Sequence, residues 1–445
     1  MAQHSVPALA GGQDSAAGAS WRPLLSGERR DRALAAIGRL TGPDRGGGIV
    51  QAPRDASLAS GSAGLAVCYA VLAETEADDR AGDLARGYLD SATDVLAAEP
   101  LTTSLYSGFP GIAWAASVIE RLAGADGQDT DAGTDTDQCA AIDAALADAV
   151  RRYPDRGPYD LIDGLAGLGA YALARWPRPA ARACLSRVIE RLAARARRDE
   201  NGVYWWTPPS LMTGARANAY PDGAVDLGMA HGVAALIPLL ARAHALGGGP
   251  GGVRAMLDGA IRWMVAHLVD TPWGRTVPAF VAPGAEPVPT RSAWCYGDPG
   301  VAIALLLASR DAGEQTWAEA GTELALSAAR RPPEQAGVAD AGVCHGTAGL
   351  AHMFGRLHQM TGERELADAA MYWLERTMEL CDALQPGPAD DPPARPGATD
   401  AGLLEGTAGV ALVLLSACRA AEPAWDQILL VSTGGADLPA GAFAR

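Results

Sequence analysis

Three side chains in this sequence could share one piece of chemistry. Cys295 lies in "RSAWCYGDPG" (291–300), and the adjacent pair Cys344 and His345 lies in "GVCHGTAGLAH" (342–352). Two thiolates and one imidazole make a three-ligand zinc site with its fourth position open, the arrangement of catalytic rather than structural zinc. The spacing is not that of a zinc finger, because no Cys-x-x-Cys pair occurs in the chain. Neighbours such as Cys344 and His345 reach one ion only where the backbone turns sharply, and Gly346 supplies such a turn. Cysteine is also commonly buried as a small hydrophobe, so residue type alone leaves burial and ligation both open. The question is what would carry Cys295 to Cys344.

A repeat answers it. Glycine-rich turns followed by apolar stretches recur seven times, with first glycines at Gly61, Gly108, Gly164, Gly232, Gly297, Gly346 and Gly406. Six of the turns read Gly-x-x-Gly, and the fourth has Ala235 in the second position, which puts its local backbone in question. Between the turns, segments such as 81–98, 181–198, 253–269 and 363–380 carry apolar residues at three-to-four spacing with charges between them. Each unit is an amphipathic helix, a glycine turn and a shorter helix that is apolar all round and must be buried. No such unit buries its faces alone. The pattern predicts an all-α, single-domain α/α toroid of about seven helical hairpins over 29–432, with the apolar helices as an inner ring. A loosely ordered segment (1–28) precedes it and a tail (433–445) follows. All seven turns then gather at one end of the ring, bringing Cys295 to Cys344 and His345.

Composition narrows the function classes. The 445 residues are 49% hydrophobic and 20% charged, with aromatics at 6%, which suits a helical globular protein. A net charge of −16 argues against a nucleic-acid partner, which needs a basic face. No apolar run reaches about 18 residues and no secretion signal opens the chain, so no membrane span and a cytoplasmic location are expected. Seven scattered cysteines do not read as a disulfide framework. Cys68 and Cys418 fall within apolar helices and Cys184 and Cys381 within amphipathic ones, as packing residues, while Cys139 borders the acidic loop 124–138, where exposure is expected. That loop lacks calcium-loop order, because Asp131 stands where the turn glycine belongs. Residues 385–400 form a proline-rich loop and 201–223 a structured excursion near the rim. His352 and His358 lie down the helix from Gly346 and are not expected as ligands.

The sequence resembles the lanthionine synthetase C family, the lanthipeptide cyclases. The likeness rests on the seven turns and on "RSAWCYGDPG", "GVCHGTAGLAH", "DLGMAHGV", "YDLIDGLAGLGAY" and "LLEGTAGVALVLL", over roughly residues 30–432. The resemblance implies an α/α toroid, a zinc ion (Zn2+) held by Cys295, Cys344 and His345, and addition of peptide cysteine thiols to dehydroalanine or dehydrobutyrine to form thioether rings. His231 then becomes the candidate acid or base, Asp160 its orienting carboxylate, Arg291 a stabiliser of enolate charge, and Tyr296 a contact to zinc-bound water or substrate. The implied partners are a dehydrated precursor peptide and a separate dehydratase, since the sequence resembles the stand-alone cyclase. Two alternatives keep the fold: addition of glutathione to dehydrated residues, or a non-catalytic peptide-binding scaffold. A glycosidase of the same shape would need paired carboxylates, for which the turns offer Asp160, Asp163, Asp298 and Glu405.

Overall fold

The computed structural model describes residues 21–42, 55–76, 79–124, 139–212, 214–249, 251–383 and 400–432. Its helices, in chain order, begin with α1 (Gly27–Thr41), α2 (Ser62–Glu76), α3 (Asp79–Ala98), α4 (Phe109–Gly124) and α5 (Ala140–Arg151). They continue with α6 (Leu165–Ala174), α7 (Pro179–Arg195), the short α8 (Ala215–Ala219), α9 (Leu236–Ala245) and α10 (Val253–Ala266). The last are α11 (Asp298–Ala312), α12 (Gln315–Arg330), α13 (Thr347–Thr361), α14 (Arg364–Ala383) and α15 (Thr407–Cys418).

Helices α2, α4, α6, α9, α11, α13 and α15 each pack on the next, and α15 packs back on α2, closing a ring. These seven follow the glycine turns, and they are apolar on every side. All twelve residues of α15 are buried, from Thr407 to Cys418. The other long helices bury a single stripe. In α14 the stripe is Leu366, Ala370, Trp373, Leu374, Thr377, Met378 and Cys381, at three-to-four spacing, as an amphipathic outer helix requires. Each fully buried leucine contributes about 1.5–3 kcal/mol. The ring is the toroid that the repeat predicts.

The turns share one hydrogen-bond scheme. An inner helix leaves its first amides without helical partners, and here they bond back to carbonyls seven residues earlier. Thr347, Ala348 and Gly349 donate to Asp340, Ala341 and Gly342, and Thr407, Ala408 and Gly409 donate to Asp400, Ala401 and Gly402. This folds the turn so closely that a Cβ on Gly349 would lie 2.0 Å from the Val343 carbonyl oxygen. The second glycine of Gly-x-x-Gly is thus required by contact. Where the sequence has Ala235 the helix begins instead as a 3₁₀ turn, Val233–Ala235, the local departure that the sequence led one to look for.

A second set of bonds links turn to turn, in six of the seven turns from the amide of the residue two before the first glycine. Ala230 N–H donates to Cys295 O (3.3 Å), Cys295 N–H to Cys344 O (3.2 Å), Cys344 N–H to Leu404 O (2.8 Å) and Leu404 N–H to Ala59 O (3.1 Å). Ala59 N–H donates to Tyr106 O and Ile162 N–H to Ala230 O, while Ser104 Oγ reaches Ile162 O, completing the circle. Cys295 and Cys344 occupy the same place in consecutive turns and are joined directly.

Three short antiparallel pairs supplement the helices: β1 (Arg197–Asp199) with β2 (Gly202–Tyr204), β3 (Val225–Asp226) with β6 (Phe280–Val281), and β4 (Val269–Thr271) with β5 (Gly274–Thr276). Of these elements, β2 and α8 lie within the structured excursion at 201–223. The segment 421–432 lies within the ring: Ile428 O accepts from Tyr106 Oη (2.9 Å), Leu429 O from Trp294 Nε1 (3.0 Å), and Asp426 pairs with His352 and Arg356.

Two expectations need correction. Cys139 is 2% exposed, its thiol turned to Ala113 O at 3.6 Å, because α5 begins there and packs inward. Residues 21–28 are not loose: Trp21 Nε1 donates to Ser416 O, the Leu24 and Leu25 amides donate to Ala417 O, and α1 starts at Gly27. The calcium-loop question at 125–138, residues 1–20, most of the proline-rich loop (385–399) and the tail at 433–445 lie outside the described residues.

Candidate metal centre and the histidine beside it

The fifth and sixth turns deliver Cys295 and the Cys344–His345 pair to one spot, where their ligand atoms all lie within 4.8 Å of one another. Bond lengths of about 2.3 Å to sulfur and 2.0–2.1 Å to nitrogen put tetrahedral ligands less than 4 Å apart, so the spacing and the soft donor set fit a zinc ion. Cys295 is buried, and Cys344 and His345 are half-buried. Hydrogen bonding from Cys344, together with His345 and the charge of Arg291, holds Cys295 well below the ordinary thiol range. Its bond to Cys295 and its burial push Cys344 up. The bond to Cys295 raises His345 against the effect of burial, and the charge of Asp340 adds to it. A thiol held below its ordinary range beside a second thiol and an imidazole is suited to a divalent cation.

Gly297 shows how tightly the first of these turns is built. Its φ of 149° lies in the region reserved for glycine. A Cβ there would meet Arg291 O at 2.5 Å and Ala293 N at 2.6 Å. Arg291 itself is exposed, yet its charge reaches Cys295, Cys344 and His345 alike.

Beside the cluster stands His231, from the fourth turn. Its Nδ1 lies 2.9 Å from Asp160 Oδ2, with side-chain exposures of 35% and 13%. Burial alone would lower the His231 pKa, but the hydrogen bond and charge of Asp160 outweigh it, so the net shift is upward. The Tyr296 ring lies 6.4 Å from the His231 ring. Its hydroxyl donates to Asp226 Oδ2 at 2.6 Å, and the Arg216 guanidinium of α8 covers its ring at 4.8 Å. Burial lifts Asp226 to about 6, against the bond from Tyr296.

The seven residues picked from the sequence thus fall into two neighbouring groups, Cys295, Cys344 and His345 with the charge of Arg291, and His231 with Asp160, with Tyr296 between them. Asp226, Asp340 and Arg216 were missed. Of the carboxylates offered for a glycosidase, Asp298 is buried and accepts from Thr276 Oγ1 and Val277 N–H, while Asp160 and Asp163 lie within 4.8 Å of each other and of His231, to which Asp160 is bonded. His352 bonds Asp426, outside the cluster, as its place on α13 implied. A cavity of about 710 Å³ opens among Trp114, Arg121, Arg242, Arg310 and Leu430, and no cluster residue lines it.

A family profile described as lanthionine synthetase C-like protein matches residues 52–430. Among solved structures, nisin cyclase superposes with a TM-score of 0.69 at 20% identity, covering 86% of this chain and 93% of that one, a likeness of fold. None of the curated proteins compared matches in sequence. No described helix is long and apolar enough to cross a membrane.

Proposed function

Since the chain belongs to the lanthionine synthetase C-like family, we propose that it is a zinc-dependent lanthipeptide cyclase. The observation that carries the reading is the meeting of Cys295, Cys344 and His345 within 4.8 Å. Its substrate would be a precursor peptide in which a separate dehydratase has already converted serine or threonine to the dehydro residue. When bound, a zinc ion would keep an incoming peptide thiol as its thiolate at neutral pH.

Cys295, Cys344 and His345 would hold that ion and leave one position open to substrate. The peptide sulfur then forms a bond to the β-carbon of the dehydro residue. The alkene electrons move toward the carbonyl, and the α-carbon takes a proton. One proton leaves the thiol and one is gained at carbon, so the mass does not change. His231, whose Nδ1 meets Asp160 at 2.9 Å and whose pKa Asp160 raises, would exchange that proton. Arg291 supplies positive charge where the enolate develops.

Purified protein should carry about one zinc, lost in Cys344→Ala. With a synthetic peptide bearing dehydroalanine and a cysteine, free thiol should disappear at constant mass. A heavier product when glutathione is added would favour the glutathione-adding alternative. Zinc-free protein that leaves the thiol untouched would refute the cyclase.

A further inference from the structure

Three aspartates at the turn end are each used twice. Asp160 Oδ1 accepts the Asp163 N–H at 2.8 Å while Oδ2 meets His231 Nδ1 at 2.9 Å. Asp226 Oδ1 accepts the Gly228 N–H at 2.8 Å while Oδ2 takes the Tyr296 hydroxyl at 2.6 Å. Asp340 Oδ1 accepts the Gly342 N–H at 2.8 Å, and its Oδ2 lies 3.3 Å from His345 Nε2.

The repeat separates what is structural in this from what is not. Asp55, Asp226, Asp340 and Asp400 all stand six residues before the first glycine of their turns, and each Oδ1 receives the amide two residues on. That bond closes an Asx turn and belongs to the fold. The second oxygen is what varies. Asp55 Oδ2 meets Ser60 of its own turn at 3.4 Å, whereas Asp226 and Asp340 turn theirs toward cleft side chains. At the same place in the fifth turn stands Arg291, which leaves a positive charge beside the thiols.

From this comparison the geometry points to Asp340 as a positioning residue of the metal centre. Its Oδ2 faces His345 Nε2 at 3.3 Å, so that with an ion bound it would accept the Nε2–H and leave Nδ1, with its lone pair, to the ion. A neutral imidazole carries one N–H, and the partner of that N–H decides which nitrogen is left to ligate. Asp226 likewise turns its second oxygen outward from its own turn, to accept the Tyr296 hydroxyl. The inference rests on the zinc reading above and adds to it the residue that fixes the histidine tautomer.

The test is the zinc affinity of the intact protein, measured by competition with a chromophoric chelator. Asp340→Asn keeps an oxygen for the Gly342 amide but sets an amide N–H against Nε2. That favours the tautomer protonated at Nδ1, which has no lone pair for the ion. Affinity should fall about 10- to 100-fold. Asp55→Asn, the same change in a turn whose second oxygen stays within the turn, should bind zinc like wild type. If Asp340→Asn does not fold, Asp340→Glu against Asp340→Gln decides, the carboxylate variant being the tighter binder. Wild-type affinity in Asp340→Asn, equal loss in Asp55→Asn, or equal Glu and Gln variants would overturn the assignment. A wild type that takes up no zinc would instead remove the metal reading beneath it.

Discussion

Gly297→Ala is the substitution that most directly probes how the turns hold the cleft. Gly297 sits at φ 149°, where an L side chain is strained. The added Cβ would lie 2.5 Å from Arg291 O and 2.6 Å from Ala293 N, both backbone atoms of the loop that carries Cys295. Forcing a residue into such a backbone region costs about 1–3 kcal/mol. Overpacking against neighbours that cannot swing aside costs about 1–3 kcal/mol more. The expected loss is therefore about 2–6 kcal/mol, together with weaker zinc retention as the Ala293–Cys295 backbone shifts. Gly87→Ala provides the opposite sign. Gly87 is exposed within α3 and has nothing within 4 Å of the built Cβ, so alanine should stabilise by about 1 kcal/mol through helix propensity. Unfolding midpoints of both variants in denaturant, with zinc content on the same samples, give the comparison. A Gly297→Ala protein with the wild-type midpoint would refute the close-approach argument. So would a Gly87→Ala protein that falls as far as Gly297→Ala.

Two further outcomes follow from buried charge. In Asp160→Asn the His231 pKa should fall, moving the limb of the thioether-forming pH profile that depends on imidazolium to lower pH. Because Asp160 raises the folded-state value above the usual 6.5, the pair stabilises the fold fully below that pH and loses its effect as pH rises through the raised value. Asp160→Asn should thus cost more stability at pH 5.5 than at pH 9, as urea midpoints at the two pH values can test. Asp143→Ala removes the carboxylate that the Arg175 guanidinium meets at 3.0 Å, both side chains being almost wholly buried. A loss of about 3–5 kcal/mol is expected, visible as a lower thermal midpoint with zinc content retained.

The sequence was legible where period and residue type act locally. The glycine repeat carried the hairpin count, the ring and the end at which chemistry gathers. Ala235 correctly marked the one turn whose helix starts differently. The short strands were not found, because two or three residues are too few to show an alternation. Asp226 and Asp340 escaped for another reason. An aspartate ahead of a glycine turn reads as a turn former, which both are. The direction of the second oxygen is set only by the neighbouring turn across the ring. Cys139 was misplaced because its sequence neighbours are a polar loop while its contacts come from α4.

The bonds from Trp294 to Leu429 and from Tyr106 to Ile428 also bear on the order in which the molecule comes into being. The loop holding Cys295 rests on a segment separated from it by 135 residues, so its floor is synthesised long after the loop itself. A chain emerging from the ribosome builds its early hairpins with the ring open and its centre empty. Closing that long loop is paid for only when α15 meets α1 and α2 and the segment 421–432 enters the ring. The meeting of Cys295, Cys344 and His345 is therefore among the last features to be completed, and a half-made chain presents the turns without the closed ring that sets them together.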